Sequence, residues 1–384
     1  MPERGGQGGR AGQLFAAALV LYGAVAIVLA TRKSGDFYAD MLLAERWLQG
    51  QSLYGPNVST AVGAPWPPFG TFALVPFALL ARVSVPLAKA MWAALGILCL
   101  GWSAVVAHRW TRDWGLVTVA LLAIALPIQG NVEHGNLALI LLGVLMAAMV
   151  DWEAGRDTRA GIWLGVAAAL KAYPLALIAY AAYRRRWRAA AAGGLTVVAL
   201  TGLPLLRYGW TGAMATFAEW LRLGRDAGAQ LRMSGQSVQQ LVGRMGGSQV
   251  LATVAAAALL IVTAIALSRL REPLPVTREL GAAALAATMC APISWPHGYV
   301  LAFPAWIALL TRPLPVRDAR VWRGALAFAG VLTSGVLTYG TYAWRQSVLA
   351  TSLYAWAGVL MLVLLLLPTA PPAHPSDSPL AAPH

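Results

Sequence analysis

Two carboxylates four residues apart, Asp36 and Asp40 in GDFYAD, follow the first long apolar run of the chain. On a helix that spacing puts both on one face. A carboxylate at the edge of an apolar site can be tuned toward the pKa that proton abstraction needs, which makes Asp36 a candidate general base. The alternative is structural: Asp36 as an N-cap after Gly35, and Asp40 as a solvated charge near the helix start. Lys171 lies deep in GVAAALKAYPLAL, close to a proline that breaks the run. Ionisable residues in such surroundings are paired, functional or snorkelling to an interface. A lysine at the end of two half-helices suits a phosphate. Glu133 and His134 in VEHGN, and His297 in SWPHG, are the ionisable residues at two further breaks. They suit hydrogen bonds to a substrate or, for His297, a phosphate; His134 can equally satisfy its own turn. A metal needs three or four converging ligands. No fixed spacing brings Asp36, Glu133, His134 and His297 together, so no metal and no other cofactor is expected.

The elements that must position these residues belong in a membrane. Of 384 residues, 59% are hydrophobic and only 11% charged, with a mean hydropathy of +0.63. Soluble domains carry about a quarter charged residues, so the chain is expected to be an all-α polytopic membrane protein with one continuous interior. The 29 Lys and Arg against 15 Asp and Glu lie in short clusters between apolar runs. That pattern reads as a topology signal rather than a nucleic-acid surface. Only two cysteines are present, Cys99 and Cys290, each in an apolar run, so neither a disulfide framework nor a zinc site is indicated.

Runs near 12–31, 86–107, 189–206, 249–267, 323–343 and 347–367 read as spanning helices. Six shorter runs, near 115–128, 136–150, 160–171, 173–183, 279–293 and 298–311, form three pairs broken at QGNVEHGN, KAYP and SWPHG. Broken backbone at membrane depth is tolerated only in protein or beside a watery cavity, so the three breaks nominate a cavity. The run at 67–80 is ambiguous; if it does not cross, twelve crossings put the clusters HRWTRD, DWEAGRDTR, RRRWR, SRLREPLPVTRE and TRPLPVRDARVWR on the side of the basic N-terminus. That reading makes a multi-pass plasma-membrane protein with a cytoplasmic N-terminus on an uncleaved first helix. Residues 1–367 form one domain with outer loops at about 32–86 and 207–247, and the Pro-rich 368–384 is expected to be disordered.

On the outer side lie Arg207, Arg222, Arg225, Arg232 and Arg244, against the usual charge bias, and an anionic ligand is the simplest reason; a solvated amphipathic helix is the competing one. Ser234, Gln236, Ser237 and Gln239 add neutral groups suited to a hydroxyl-rich ligand. Most tryptophans fall at membrane boundaries, but Trp66 in APWPPF and Trp295 in ISWPHG lie at the proposed cavity, where a ring could stack on a sugar.

The order of an outer-loop Asp, GQSLYG, WPPF, HGNLALILLGVLMAAM, RAGIWLGVAAALKAYPLALIAYAAYRRRWR, SGQSVQQLVGR and ISWPHGYVLAFPAWIALL resembles glycosyltransferase family 87 from about Gly35 to Leu310. These are polyprenyl-phosphate-mannose-dependent mannosyltransferases of the GT-C membrane fold. The resemblance implies a GT-C-type bundle of about twelve transmembrane or half-membrane helices, with a large first outer loop carrying interfacial helices. It implies inverting transfer of a hexose, usually mannose, from a polyprenyl-phosphate donor to a glycolipid or glycan acceptor on the extracytoplasmic side. In that pattern Asp36 matches the base, His297 the late-motif histidine near the donor phosphate, and Lys171 the central lysine. Two departures, Trp66-Pro67-Pro68 for Tyr-Pro-Pro and Gly135-Asn136 for Gly-Gln, bear on sugar and acceptor more than on reaction class.

The residues alone agree in one respect. A polyprenyl phosphate leaves as a stabilised anion and needs no general acid, whereas glycoside hydrolysis uses two carboxylates. One outer carboxylate with Lys171, His297 and an outer arginine such as Arg207 therefore suffices. Asp40, Trp66, Glu133, His134, Asn136, Trp295 and Gln236 remain candidates for substrate contact. A transporter would also use broken helices, but would carry inverted internal symmetry. No such symmetry is visible in the sequence.

Overall fold

The computed structural model describes residues 5–31, 35–54, 74–229, 234–270, 274–313 and 319–368, and among these every regular element is a helix. In chain order, α1 (Gly5–Ala30) is followed by α2 (Asp36–Leu48), α3 (Leu74–Leu80) and the long α4 (Val85–Thr111). Five shorter helices come next: α5 (Trp114–Leu122), α6 (Ala125–His134), α7 (Ala138–Glu153), α8 (Asp157–Leu170) and α9 (Leu175–Tyr183). α10 (Trp187–Leu205) passes through a 3-10 turn at Leu206–Tyr208 into α11 (Gly209–Ala229). α12 (Val238–Arg244), α13 (Gln249–Arg269) and α14 (Val276–Cys290) lead to a 3-10 stretch, Pro296–Ala302, and α15 (Phe303–Thr311). α16 (Ala319–Ser334), a 3-10 turn at Val336–Thr338, α17 (Tyr342–Ala350) and α18 (Leu353–Leu366) complete the order.

Among the described residues, α1, α4 and α13 are long and apolar enough to cross a bilayer, and counting each bent pair as one span gives up to six. Two of the bent pairs are α5 with α6, at 64°, and α17 with α18, at 44°. The centre is built from helices apolar on every side, as buried helices are. In α14 every residue from Val276 to Met289 is buried. α8 and α10 approach closely because Gly161 and Gly165 lack side chains: a Cβ on Gly161 would stand 2.2 Å from the Ala189 carbonyl oxygen, and one on Gly165 2.6 Å from that of Gly193. Small residues four apart on a helix permit this contact between backbones.

The buried charges at one end of the bundle are matched. Glu279 accepts from Trp152 Nε1 (3.3 Å), Tyr180 Oη (3.0 Å) and Arg184. Asp151 accepts from Arg156 (2.6 Å) and Trp163 Nε1 (3.1 Å), and Arg278 caps α18 through the carbonyls of Leu365 (2.8 Å) and Leu367 (2.6 Å). From this end α8, with 14 residues, rises about 21 Å to Lys171. That is short of the roughly 30 Å of a hydrocarbon core. The broken segments at the far end of α8 and α14 thus stop inside the bundle.

Two boundaries differ from the sequence expectation. QGNVEH is helical, not a turn: α6 runs through it, with one break before it at Ala123–Ile124 and another after it at Gly135–Leu137. Pro127 has no N–H for the Ala123 carbonyl, which interrupts the helix there. Gly135, at φ +64°, then ends α6. The expected span at 323–343 stops at Ser334, because Gly335 takes φ +81° with its Cα pressed on Leu126 of α6. The short α3, seven residues or about 10 Å, packs on α2 and is too short to cross by itself. The tail from residue 369 onward and the residues from 55 to 73 lie outside the described residues.

Candidate active site

The site forms where α2 meets the breaks α6–α7, α8–α9 and α14–α15. α2 begins at Gly35, which caps without a side chain, so Asp36 occupies the first helical position with its carboxylate turned outward from the helix. Gly35 is required by proximity: a Cβ there would lie 2.8 Å from both the Cα and the carbonyl oxygen of His134. Phe37, fully buried, packs in turn against Gly135, where a Cβ would come within 2.6 Å of its own. The aromatic cluster Phe37, Phe77 and Trp92 backs this contact, with Phe77 and Trp92 rings 4.4 Å apart and Trp92 Nε1 donating to the Gly135 carbonyl at 2.8 Å. The GDF and HGN stretches are thereby pressed together.

At their junction Asn136 links the base candidate to the cation candidate. Its Oδ1 accepts from the backbone N–H of Ala138 (3.1 Å) and from Lys171 Nζ (3.2 Å). Both partners can only donate, so the amide's other atom is the NH2, and Nδ2 donates to Asp36 Oδ2 at 2.7 Å. His297 Nε2 stands 3.9 Å from the same carboxylate oxygen. Asp36 keeps 45% of its side chain exposed while His297 keeps 12%. The carboxylate is thus reachable from solvent and oriented by buried neighbours. Lys171 is buried, in extended backbone just after α8, where the following KAYP turn interrupts the helix.

Asp40 lies one turn along α2 from Asp36. Burial and the neighbouring Asp36 charge raise its carboxyl well above the usual carboxylate range, with Lys171 opposing. His134 and His297 have ring centres 6.2 Å apart, and Trp295 stacks near His297 at 6.3 Å with planes 14° apart. Glu133 accepts from Gln129 Nε2 at 2.8 Å, on the side of α6 that meets the 335–344 segment. Among the described residues no three His, Cys, Asp or Glu side chains are grouped so as to hold a metal ion.

Several sequence candidates are not gathered here. Arg207 donates to the Leu48 carbonyl at 2.6 Å, capping the opposite end of α2 from Asp36. Gln236 is fully buried: its Nε2 donates to the Leu349 carbonyl (2.8 Å) and its Oε1 accepts from Tyr354 N (3.1 Å). Its backbone N–H donates to the Ser294 carbonyl (2.7 Å) and its carbonyl accepts from Tyr299 Oη (2.7 Å). It holds the SWPHG segment in place, with both atoms of its side-chain amide already bonded to the 349–354 stretch. Arg222 pairs with Glu219 at 2.6 Å, and Arg244 holds the Gly235 carbonyl (2.8 Å) and Ser352. Trp66 and Arg232 lie outside the described residues. One residue the sequence reading passed over is Asn131, buried on α6, whose Nδ2 donates to the His297 carbonyl at 2.7 Å and to the Pro127 carbonyl at 2.9 Å. A polar residue inside an apolar run, in the same QGNVEHGN stretch as His134, was the available signal.

A family model described as glycosyltransferase family 87 matches residues 65–293. The chain is 27% identical over 379 residues to a polyprenol-phosphate-mannose-dependent alpha-(1-2)-phosphatidylinositol mannoside mannosyltransferase of Mycolicibacterium smegmatis, covering 86% of this chain and 83% of the relative. It is also 27% identical over 317 residues to a protein of the same description from Mycobacterium tuberculosis, covering 75% of this chain and 72% of that relative. No solved structure shows significant similarity to it.

Proposed function

The chain belongs to glycosyltransferase family 87, and from that premise we propose that it moves mannose from polyprenyl phosphate to a hydroxyl of a glycolipid or glycan, by single displacement with inversion. The donor in the relatives' names, polyprenol-phosphate mannose, supports the donor assignment, and the phosphatidylinositol mannoside in the same names supports a glycolipid class of acceptor. The bilayer is the medium that presents both.

The observation that carries the mechanism is the Asp36–Asn136–Lys171 chain with His297 beside it. Asp36 takes the acceptor proton, and the freed oxygen bonds to the anomeric carbon as the bond from that carbon to the phosphate oxygen breaks. The departing polyprenyl phosphate gains one negative charge, which the Lys171 ammonium balances and a His297 ring N–H steadies by hydrogen bonding. The nucleophile is the substrate's own oxygen, so no covalent intermediate with the protein arises. Asn136 wedges between base and cation, orienting the carboxylate without the two charges collapsing on each other.

The active site faces the extracytoplasmic side in this reading, with the N-terminus in the cytoplasm of a twelve-crossing chain. Its support is the end-to-end separation of Asp36 from the arginine-rich end of α8 and α14, which the positive-inside tendency assigns to the cytoplasm. The test is transfer of labelled mannose from polyprenyl phosphate to envelope glycolipids by purified protein in lipid, wild type against Asp36→Asn at matched folding. A positioned base contributes about 10²–10⁴-fold, and a loss of that size is expected. Equal transfer by both proteins removes Asp36 from the mechanism.

A further inference from the structure

The segment joining α16 to α17 and the first turn of α17 carry three exposed aromatic residues, Tyr339, Tyr342 and Trp344, at 65%, 79% and 53% exposure. The segment is fastened to α6 at two points. Gly335 lies so close to Leu126 that a Cβ would come within 2.2 Å of that side chain, and Tyr339 Oη donates to Gln129 Oε1 at 3.4 Å. The segment is also tied to itself. Trp344 Nε1 donates to the Leu337 carbonyl at 2.9 Å, and the Thr341 hydroxyl caps α17 by accepting from Trp344 N at 3.3 Å. With its N–H already used, the Trp344 indole presents ring rather than donor. At the Tyr339 contact the amide of Gln129 also donates to Glu133 at 2.8 Å, and Tyr22 of α1 lies near enough to feel both Glu133 and Tyr339.

We propose that Tyr339, Tyr342 and Trp344, with Gln129 and Glu133, form a subsite for the sugar portion of the acceptor, beyond the hydroxyl that Asp36 activates. This rests on the reading of the chain as a sugar transferase. Sugar rings offer apolar C–H faces that lie on aromatic rings and hydroxyls that need an amide or carboxylate, and the bond from Tyr339 to Gln129 brings the two kinds of group together. It is continuous with the catalytic site: from Gln129 to His134 α6 rises about 7.5 Å, and His134 touches the start of α2. An aromatic belt for lipid headgroups is the other use of such residues. The inward bond of Tyr339 and the polar pair beside it favour the sugar.

The test gives full-length protein in phosphatidylcholine vesicles polyprenyl-phosphate mannose with octyl α-mannoside or octyl α-mannotrioside. Wild type is expected to have the higher kcat/KM with the trioside. Trp344→Ala and Tyr342→Ala are expected to lower the trioside-to-monoside ratio about three- to tenfold, the contribution of one aromatic face. Trp187→Ala, an exposed tryptophan at the arginine-rich end of the bundle, should leave that ratio as in wild type. An unchanged ratio in both outer variants overturns the subsite, as does a parallel fall in every rate shared with Trp187→Ala, which marks an interfacial anchor. Calorimetric titration with the mannotrioside alone needs no turnover. Binding by wild type that Trp344→Ala weakens keeps the subsite even if no mannose moves, in which case the transferase reading has failed; no binding by wild type overturns the subsite even where the monoside is mannosylated.

Discussion

Asn136→Ser separates orientation of the base from its mere presence. In the folded protein Asn136 Nδ2 donates to Asp36 at 2.7 Å, and Oδ1 accepts from Lys171 at 3.2 Å and from Ala138 N at 3.1 Å. Serine keeps an oxygen that can accept the turn's N–H two residues on, so α7 should start as before. One bond shorter, it loses the reach to Asp36 and Lys171. A hydrogen bond with one charged partner is worth about 1.5–3 kcal/mol net, and 1.4 kcal/mol is a factor of ten. If the bond orients Asp36 in the transition state, kcat should fall about 10- to 100-fold.

The decisive comparison is the same substitution in an Asp36→Asn background. Residues that act as a unit are strongly non-additive, so there Asn136→Ser should cost at most about threefold, measured by initial rates of mannose transfer in vesicles. Thermal midpoints of all four proteins check that the fold survives. Equal losses in both backgrounds would mean that Asn136 works independently of Asp36. No loss in the wild-type background would mean that the 2.7 Å contact does not persist into the reaction; either outcome refutes the argument.

Three further perturbations bear on the same geometry. Gly35→Ala sets a Cβ 2.8 Å from His134 backbone atoms that cannot swing aside, so it should cost about 1–3 kcal/mol of stability, as overpacking does, and reduce kcat; a thermal midpoint and rate equal to wild type would deny the close approach. Asp40 binds a proton more tightly in the folded protein than in the unfolded chain, so this contribution to stability is complete below the unfolded value of about 4 and is lost as pH rises through the folded one. Asp40→Asn resembles the protonated form, and its thermal midpoint should therefore gain on wild type between pH 5 and pH 8; parallel midpoints would contradict the burial of this carboxyl. Lys171→Met should impair use of the polyprenyl-phosphate donor by about a hundredfold, the effect of a charge-assisted contact worth up to 3 kcal/mol, while Arg207→Ala, which frees only the Leu48 carbonyl, should change donor KM less than threefold. The reverse order in donor kinetics would return Arg207 to the phosphate.

The parts of the site that were legible in the sequence are those that violate their surroundings. Lys171 in an alanine-rich run, His297 after a proline and Asp36 at a membrane exit each stand out against 59% hydrophobic composition. Their convergence was not readable, since the Asn136–Asp36 bond joins residues 100 positions apart and the Asn131–His297 bond 166. The contacts that Gln236 and Arg207 make within the fold are hidden for the same reason. Both look like ligand-binding groups until Leu349 and Leu48 are found beside them. Polarity misled at QGNVEH, where Asn131 and Glu133 spend their side chains on His297 and Gln129 while the backbone stays helical. The stop at Gly335 depends on the nearness of Leu126, which no local pattern announces.

The two ends of the bundle use charge in opposite ways, and the contrast separates structure from chemistry. At the arginine-rich end Glu279 is buried under three donors, from Trp152, Tyr180 and Arg184, and Arg278 is spent on the carbonyls that end α18. Charges held that way fix helix positions, and removing one partner strands the other in low dielectric. At the other end Asp36 is nearly half exposed and held mainly by a neutral amide. A neutral donor orients a carboxylate without neutralising it, which is what the base role proposed for Asp36 requires. Replacing that amide by a second cation would stabilise the resting carboxylate more and the reaction less, since catalysis gains only from contacts stronger in the transition state than before it.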